Sequence, residues 1–555
     1  MKRFFALNLV IFCGFFIFAG CQKPVPSDQI FYNGKIFTAR TATDFVSAMA
    51  IKDGKIIAVG SDEKLLRGFK ADSTRLVNLK GRLVLPGFHD AHLHFWNGAK
   101  LYHEVNLGGV SSLQEALRRI RQAVEKTKPG GWVIGRGWDH ELWKNKKMPD
   151  RRDLDKISRK HYIYLKRVDG HAAWVNTPVL DLLRYHRGTP DPQGGKIVHR
   201  SNGSLQGILL DTAFELLDEI IPDFTLSEKK DMLLRTIHYA NSLGITSITD
   251  NSPLNLYAAY AGLEKEGNLS LRVHFWPDYS ENLDSIANYI THTAPPTHLL
   301  DAPLIKLYAD GSLGSRSAFM KAPYDDHPGT SGLPRYPYKE MLRMVRKVVN
   351  AGRQIGIHAI GDAGVSEVLD VYQQIQKENP QTDPRWRIEH AQILDSTDFK
   401  RFHDLHVIAS MQPSHCITDL HWAERRIGKR ARFGYAWRTF LDSNVVLAFG
   451  TDWPVEPLNP MLGLYASVTR QDTLGFPEGG WYPQERISLG EAIVAYTRGS
   501  AYGVRAENWC GTLQPGRVAD FVIMDRDLFT ATPKQILHAK VLATYLNGRN
   551  VLAGL

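Results

Sequence analysis

Cysteine is scarce in this chain. Its 555 residues contain four cysteines, and two of them lie in the N-terminal segment discussed below, which leaves Cys416 and Cys510. Two cysteines cannot build the disulfide framework that holds many small secreted domains together. A hydrophobic core must therefore stabilise the fold, and 43% hydrophobic residues in a chain of this length suffice for one.

The sequence also lacks a basic block interleaved with aromatic residues. The net charge of +10 is spread along the chain, which indicates general solvation and some attraction to anionic lipid. A nucleic-acid surface is therefore not expected. Beyond the N-terminus no apolar run reaches the length of a transmembrane helix, and we find no internal repeat or low-complexity tract.

The first residues, "MKRFFALNLVIFCGFFIFAGC", combine two basic residues, an apolar run over 4–18 and two small residues before Cys21. This pattern is typical of a secretory signal. It resembles a bacterial lipoprotein signal, in which Cys21 is acylated and becomes the first mature residue. We therefore predict a signal peptide over 1–20, a linker over 21–27, and a lipid-anchored protein on the periplasmic side of the cell envelope, at the outer membrane. The alternative is an uncleaved anchor, for which the run is short.

Both ends of the remaining chain have the pattern of short strands joined by turns. Asn33-Gly34 and Asp53-Gly54 are typical of hairpins. The C-terminal segment repeats this pattern in "GTLQPGRVADFVIMD" and "VLATYLNGRNVL". We therefore predict one small composite β-sandwich domain formed by residues 28–82 together with 511–555.

Residues 83–510 alternate apolar strands with amphipathic helices. Continuous β-branched runs are typical of parallel strands buried on both faces. Eight units of this kind predict an α/β fold, a (β/α)8 TIM-type barrel. The long gap at about 97–240 predicts an insertion after the first barrel strand that covers the mouth. The predicted strands are 83–90, 245–250, 271–276, 304–309, 355–358, 386–390, 407–411 and 445–450.

The first predicted strand ends in the histidine-rich stretch "LVLPGFHDAHLHFW". Strand side chains alternate between faces, so His92 and His94 point the same way and could bind one metal ion. His89 has the opposite parity, and we expect it to be structural or to support a ligand. A His-x-His pair alone is weak evidence for metal binding.

Further candidate ligands follow later strands. His358 closes "RQIGIHAIGDAG", His390 closes "RWRIEHAQ" and Asp452 closes "VVLAFGTDWP". Their spacing corresponds to one and two β/α units, so each should lie at the carboxyl rim where barrel enzymes place their sites. Asp452 could alternatively be a helix N-cap.

Lys306 lies within the apolar stretch "APLIKLYADGS". Buried lysines are rare without a partner, and a snorkelling side chain is the simplest interpretation. On an inward-facing position beside two cations, its amine could instead react with CO2 to form a carbamate that bridges two metal ions.

The order of these residues, together with seven motifs, resembles the amidohydrolase superfamily and within it amidohydrolase family 3, which includes N-substituted formamide deformylases. The similarity runs from about residue 30 to the C-terminus. The motifs are "GWDHELW" (137–143), "RVDGHAAWVN" (167–176), "KLYADGSLGSRSA" (306–318), "IHAIGDAG" (357–364), "RIEHAQ" (387–392), "GTDWPV" (450–455) and "GRVADFVIMD" (516–525).

The resemblance implies a binuclear metal site on a (β/α)8 barrel. One ion would be held by His92, His94 and Asp452, and the other by His358 and His390. Carboxylated Lys306 and a hydroxide would bridge the two divalent ions, for which zinc is the first expectation and manganese or iron the alternatives. Asp452 would be the catalytic residue that accepts a proton from the nucleophile and delivers it to the leaving nitrogen.

These expectations describe a hydrolase that cleaves a C–N bond of an amide or N-substituted formamide, with a small molecule as its partner. The same site could hydrolyse an ester, lactone or phosphoester. A catalytically silent envelope binding protein is a further alternative, although the complete ligand set argues against it. The sequence leaves a homodimer open.

Six further residues are candidates to support the metal ligands or contact substrate, although each could equally be a turn, surface or packing residue. Tryptophans are core residues by default, or aromatic walls of the pocket if the insertion forms a lid. The six candidates are Asp310, Arg316, Asp362, Arg167, His171 and Asn176, and the tryptophans are Trp138, Trp143, Trp174 and Trp453.

Overall fold

The computed structural model describes residues 26–168, 171–380 and 383–552. The predicted signal peptide over 1–20, the lipidation site at Cys21 and nearly all of the predicted linker over 21–27 lie outside the described residues. Within the described ranges, none of the helices combines the length and the apolar character needed to cross a bilayer.

The two ends of the chain share one sheet. Leu83–Pro86 pairs in parallel with Lys35–Phe37 and antiparallel with Phe521–Met524. This six-stranded sheet has the order Arg549–Asn550, Val541–Leu546, Phe521–Met524, Leu83–Pro86, Lys35–Phe37, Phe45–Val46. A four-stranded sheet from the N-terminal segment has the order Lys55–Gly60, Ala48–Lys52, Gln29–Tyr32, Arg75–Asn78.

A common hydrophobic cluster joins these two sheets. Phe31, from the four-stranded sheet, packs edge-on against Phe521 and Tyr545, with ring centroids 5.0 and 5.3 Å away. Phe521 and Tyr545 stack on each other at 4.3 Å. Residues almost 500 positions apart in the chain are therefore buried against one another.

The predicted strand 83–90 is two strands that belong to different sheets. Leu83–Pro86 joins the terminal sheet, whereas Phe88–Leu93 pairs with Ile245–Asp250. Between them, a Cβ on Gly87 would lie 2.2 Å from Thr246 Oγ1, so only glycine permits this close approach. The Pro86-Gly87 pair marks this break, and the prediction of one continuous strand is wrong here.

Eight parallel strands form the centre of the molecule and are labelled β1 to β8 in chain order. They lie in two sheets, one with the order Leu300–Asp301, β3, β2, β1 and the other with the order β4, β5, β6, β7, β8. The strands are β1 Phe88–Leu93, β2 Ile245–Asp250, β3 Arg272–Phe275, β4 Leu304–Tyr308, β5 Gln354–Ala359, β6 Arg387–His390, β7 Ile408–Met411 and β8 Leu447–Phe449.

Hydrogen bonds connect the two sheets just beyond β8 and β1. Asp452 N donates to His92 O at 2.7 Å, and His94 N donates to Trp453 O at 2.8 Å. Gly450 makes this approach possible, because a Cβ there would lie 2.5 Å from His92 N. The carboxyl ends of the first and last central strands are therefore held side by side.

The opposite edges of the two sheets are connected in the same way. Lys306 N, on β4, donates to Pro277 O at 3.0 Å, and Lys306 O accepts from Tyr279 N at 2.9 Å. The segment that follows β3 therefore lies directly beside β4, next to the candidate lysine.

Amphipathic helices follow the central strands. In Tyr338–Asn350 the buried residues Met341, Met344, Val345 and Val348 recur at helical spacing. The other α-helices of the central region are Phe95–His103, Leu226–Ser242, Tyr257–Lys265, Leu283–Thr293, Asp362–Glu378, Asp398–Asp404, Pro413–Asp419, Ala423–Ile427, Trp437–Asp442, Pro460–Thr469, Leu489–Val494 and Ser500–Tyr502.

The predicted insertion contains a sheet and a hydrophobic core of its own. Trp138, Trp143 and Trp174 are buried in that core, together with residues such as Ile120 and Leu165. Its sheet has the order Gly195–His199, Leu205–Asp211, Ala172–Val175, Tyr162–Arg167, Trp132–Trp138, Val105–Asn106, and its helices are Leu113–Lys126, Arg151–Ile157, Thr177–Leu182 and Thr212–Ile220.

Candidate metal centre

A cavity of about 390 Å³ lies at the carboxyl ends of the central strands. All six residues that the sequence marks as metal ligands line it: His92, His94, Lys306, His358, His390 and Asp452. The wall is completed by Tyr308, Ser312, Leu313, Gly314, Ile360, Gln392, His415, Thr418, Asp419, Trp422, Val455 and Glu456.

Three of these residues converge on one point. Asp452 Oδ1 lies 3.3 Å from His94 Nε2 and 3.5 Å from His92 Nε2. Neither contact has hydrogen-bond geometry, and this buried oxygen has no hydrogen-bond partner. His94 Nδ1 donates to Asn251 O at 3.1 Å, so its Nε2 lone pair remains available. The arrangement offers two nitrogens and one carboxylate oxygen to a cation.

A buried carboxylate orients His92. Glu389 Oε2 accepts from His92 Nδ1 at 2.7 Å. Both oxygens of Glu389 also accept from Arg387, at 2.8 and 3.0 Å, and Arg387 Nη2 donates further to Ala91 O at 2.6 Å. His92, Arg387 and Glu389 are fully buried. This network fixes the tautomer of His92 and leaves its Nε2 facing the cavity.

His415 is a candidate ligand that the sequence analysis missed. His390, His415 and Asp452 form a second group whose ligand atoms lie within 4.8 Å of one another. His415 Nε2 is 3.7 Å from Asp452 Oδ2 and is buried without a hydrogen-bond partner. Like the other candidates, His415 follows shortly after a central strand, and this position was the signal that could have identified it.

His358 lies beside His390 but outside both groups. Their rings meet edge to face with centroids 4.5 Å apart. His358 Nε2 donates to Gly311 O at 3.0 Å, and His390 Nδ1 donates to Gln412 Oε1 at 2.7 Å. Hydrogen bonds therefore orient both imidazoles, each with one ring nitrogen still available.

Lys306 is buried in the floor of the cavity. Its Nζ lies 3.3 Å from His92 Nε2 and 4.6 Å from the ring centroid of Trp276. Tyr308, two residues further along β4, provides a second aromatic ring at 5.0 Å. Its side chain therefore reaches the histidines rather than snorkelling to solvent.

Burial controls the protonation of this group. Burial lowers the pKa of His92 to about 4 and that of His358 to about 3, and the positive charge of Lys306 adds to both shifts. Burial opposes the charge of Asp452, but the surrounding histidines hold the pKa of its carboxyl well below the usual range. Neutral imidazoles beside an ionised carboxylate are the protonation state that metal binding requires.

The backbone is strained at two of the candidate ligands. His390 has a φ of 71° and Asp452 a φ of 57°, in the left-handed region that few residues other than glycine adopt. Such strain costs about 1–3 kcal/mol per residue and is concentrated at functional sites. Both side chains are turned into the cavity where their strands end.

Three predicted supporting residues bind other partners. Asp310 accepts from the backbone N–H groups of Phe319, Ile360 and Gly361 at 2.8–3.0 Å, and its Oδ1 lies 3.5 Å from His358 Nε2, so it holds loops beside a candidate ligand other than Lys306. Asp362 accepts from Lys321 N at 2.8 Å. Arg316 pairs with Asp326, and none of the three residues lines the cavity.

The three predicted residues of the insertion also lie away from the cavity. Arg167 pairs with Asp139 at 2.8 Å, exposed His171 lies 2.9 Å from Asp211, and buried Asn176 hydrogen-bonds to backbone groups. No described residue of 97–240 lines the cavity, and the cover that the insertion should form over the mouth stays a prediction. The insertion has its own core, in which Trp138, Trp143 and Trp174 are buried.

The family follows from a comparison of the whole chain with known protein families. A model described as the amidohydrolase family matches residues 75–552. The chain belongs to the amidohydrolase family. The ordered ligand motifs at the ends of β1, β5, β6 and β8 lie within the matched range.

Relatives and solved structures cover almost the whole amidohydrolase chain. LONG AFTER FAR-RED 3 from Arabidopsis thaliana is 32% identical over 543 residues, 95% of this chain and 92% of the relative. N-substituted formamide deformylase from Arthrobacter pascens is 24% identical over 544 residues, 94% of this chain and 97% of the relative. A metal-dependent hydrolase from Pyrococcus furiosus superposes with a TM-score of 0.76 and 28% identity, covering 90% of this chain and all of that structure.

Proposed function

We propose that this amidohydrolase is a metal-dependent hydrolase that cleaves a C–N bond of an amide or N-substituted formamide. The observation that carries the proposal is Asp452 Oδ1, a buried oxygen without a protein partner, 3.3 and 3.5 Å from two imidazole nitrogens in the cavity. Such an atom is costly unless a cation completes its environment. The name of the Arthrobacter pascens relative supports the choice of bond.

The fold that carries this site is, in our proposal, the (β/α)8 barrel expected from the sequence. The eight parallel strands succeed one another in chain order through two sheets. Hydrogen bonds from Asp452 N to His92 O and from Lys306 N to Pro277 O connect the edges at both sides. A closed barrel brings residues from distant strands to one rim, as the cavity requires.

Two divalent ions fit the donors that are present. His92, His94 and Asp452 would hold one ion, and His390 with His358 or His415 the other, with carboxylated Lys306 between them. Histidine and carboxylate donors suit zinc first, and manganese or iron also accept them. When bound, such ions lower the pKa of water and polarise a carbonyl group.

The protein's own side chains would position and move the protons. Glu389 keeps the proton of His92 on Nδ1, so that Nε2 faces the cavity. Asp452, which stays ionised in the folded protein, would accept a proton from the attacking water on its carboxylate and pass it to the nitrogen of the breaking C–N bond. Burial lowers the pKa of Lys306 to about 8, which favours the neutral amine that reacts with CO2.

A phosphoester would find few cationic side chains in this cavity and would depend on the metal ions for recognition. Among the described residues that line it, Lys306 is the one lysine and no arginine occurs, whereas Asp419 and Glu456 add negative charge. Phosphate groups are normally recognised by arginine or by several cations. Esters and lactones are neutral like amides, so an activity assay must distinguish between these substrate classes.

A substrate panel with metal analysis tests the proposal. We expect close to two equivalents of metal per chain and hydrolysis of N-formyl compounds that a chelator abolishes and added zinc restores. Lys306→Ala should lower the metal content, because the bridge between the ions is lost. Full metal occupancy in Lys306→Ala would refute the bridge. Turnover of esters alone would refute the choice of bond, and absence of both metal and turnover would favour a binding protein.

We further propose that the protein is anchored in the cell envelope through acylated Cys21. The support is the N-terminal pattern of basic residues, apolar run and small residues before that cysteine. Expression of the full chain with radiolabelled fatty acid should label the wild type and leave Cys21→Ser unlabelled. Equal labelling of the two proteins would exclude this anchor.

A further inference from the structure

Two carboxylates outside the candidate metal groups line the same cavity. Asp419 and Glu456 are 8% and 9% exposed. Asp419 is the last residue of the helix Pro413–Asp419, and Glu456 follows Asp452 by four positions. Two buried negative charges on one cavity wall are unfavourable unless something positive accompanies them.

The hydrogen-bond partners of these carboxylates within the protein are neutral. Tyr435 Oη and Gln392 Nε2 donate to Asp419 Oδ2 at 2.6 and 2.7 Å. Thr418 Oγ1 donates to Glu456 Oε1 at 3.0 Å. No lysine or arginine of the described ranges pairs with either carboxylate, and burial raises the pKa of both carboxyl groups because it disfavours their charge.

Two further features belong to the same cavity: the carboxylate oxygen that we assign to a metal ion, and an aromatic side chain on the wall near the two carboxylates. Asp452 Oδ1, in a side chain only 9% exposed, opens on the cavity without a hydrogen-bond partner. The indole of Trp422 also lines the cavity and reaches the loop at Gly314, where a Cβ would lie 3.7 Å from the ring, while the guanidinium of Arg426 lies 5.0 Å from the ring centroid. An aromatic face beside carboxylates is a common arrangement for binding an organic cation.

We propose that Asp419, Glu456 and Trp422 form a subsite for a positively charged group on the substrate. This inference rests on the proposed hydrolase function and narrows its substrate class to amides or formamides whose substituent carries an ammonium or guanidinium group. The substrate cation would donate charge-assisted hydrogen bonds to the carboxylates and lie against the indole. The scissile amide would then lie at the histidines, deeper in the same cavity.

Matched substrates test the subsite in the zinc-loaded protein. N-formyl-1,5-diaminopentane carries an ammonium group, and N-formylhexylamine replaces that group by a methyl of similar size. We expect kcat/KM to be at least about tenfold higher for the charged compound, since one such contact contributes about 1.4 kcal/mol. Equal values, or a preference for the neutral compound, would overturn the subsite and leave the hydrolase function intact.

Variants of the two carboxylates test whether they cause the preference for the charged compound. Glu456→Gln keeps the size of the side chain and its contact with Thr418, so we expect the ratio of the two kcat/KM values to fall toward one. Asp419→Asn should also lower the ratio, and Glu456→Gln decides alone if that variant does not fold. Glu478→Gln, at an exposed position outside the cavity, is the matched control and should keep the wild-type ratio. An unchanged ratio in Glu456→Gln would refute the assignment.

If neither formamide is hydrolysed, the proposed function is refuted but the subsite is not. A direct measurement of binding then tests the subsite. Pentylguanidinium is a suitable probe, because its protonated head does not bind metal ions. Calorimetry with the zinc-loaded protein should show binding that is about tenfold tighter than that of 1-hexanol and that weakens in Glu456→Gln. Equal binding of the two probes would mean that Asp419 and Glu456 only offset the charge of the metal ions, which would overturn the proposal.

Discussion

The cavity and the insertion use similar residues in different ways. In the insertion, Asn176 hydrogen-bonds to three backbone groups and His171 lies at the surface beside Asp211. In the cavity, polar side chains from four strands converge on one open volume. The difference shows that convergence on an open volume, rather than residue type, separates a functional polar residue from a structural one.

The largest expected effect is the loss of kcat when the negative charge of Asp452 is removed. Asp452→Asn keeps the shape of the side chain but cannot accept a proton, so kcat should fall about a thousandfold, within the range typical of general acid–base catalysis. Steady-state kinetics on a formamide substrate measures this effect. His171→Asn in the insertion is the control and should change kcat less than about twofold, because such surface substitutions rarely matter. A larger loss in His171→Asn than in Asp452→Asn would reverse the comparison.

The buried carboxylate behind His92 provides a sharper test. Glu389→Gln removes the charged acceptor of His92 Nδ1, and loss of such a supporting contact typically lowers metal affinity about 10- to 100-fold. Zinc affinity, measured by competition with a chromophoric chelator, should fall by this amount. An unchanged affinity would show that His92 is not a ligand or that Glu389 does not orient it.

A substitution in the insertion should instead lower the stability of the protein. Asn176→Ala leaves Ile163 N, Ser158 O and His161 O without their side-chain partner, and we expect the free energy of unfolding to fall by about 2 kcal/mol. Urea denaturation measures the loss. Zinc affinity of the folded variant should match that of the wild type, and a fall in affinity would mean that the insertion is coupled to the site.

Periodicity and the positions of strand ends identify much of this architecture from the sequence. Apart from the first, the central strands occur close to their predicted positions, and the predicted ligands line one cavity, because parallel strands align their carboxyl ends. The error at 83–90 arose because Leu83–Pro86 is as apolar as a central strand, although it pairs with the terminal sheet. Periodicity cannot tell which sheet a strand joins.

The residue roles that the sequence did not reveal depend on contacts between segments that are distant in the chain. Glu389 is adjacent to His390 in the chain, but its role depends on a contact with His92, 297 positions away. His415 follows β7 by a few residues within a helical pattern, where a histidine has no special meaning until the cavity is seen. Conversely, Asp362 lies in a motif of the candidate site yet accepts a hydrogen bond from a backbone group away from the cavity.

A pH dependence of stability in the metal-free protein should be about as large as the loss in Asn176→Ala. His358 has a pKa of about 3 in the folded state, because burial disfavours its charge, whereas an unfolded histidine titrates near 6.5. Between these values the unfolded chain binds one proton more at this position, so the contribution of His358 to stability falls as pH decreases, by about 1.4 kcal/mol per pH unit. His358→Asn lacks this proton, and the difference in unfolding free energy between wild type and variant should shift by that slope from pH 6 to 4.5. A constant difference would show that His358 is not held neutral by the cavity.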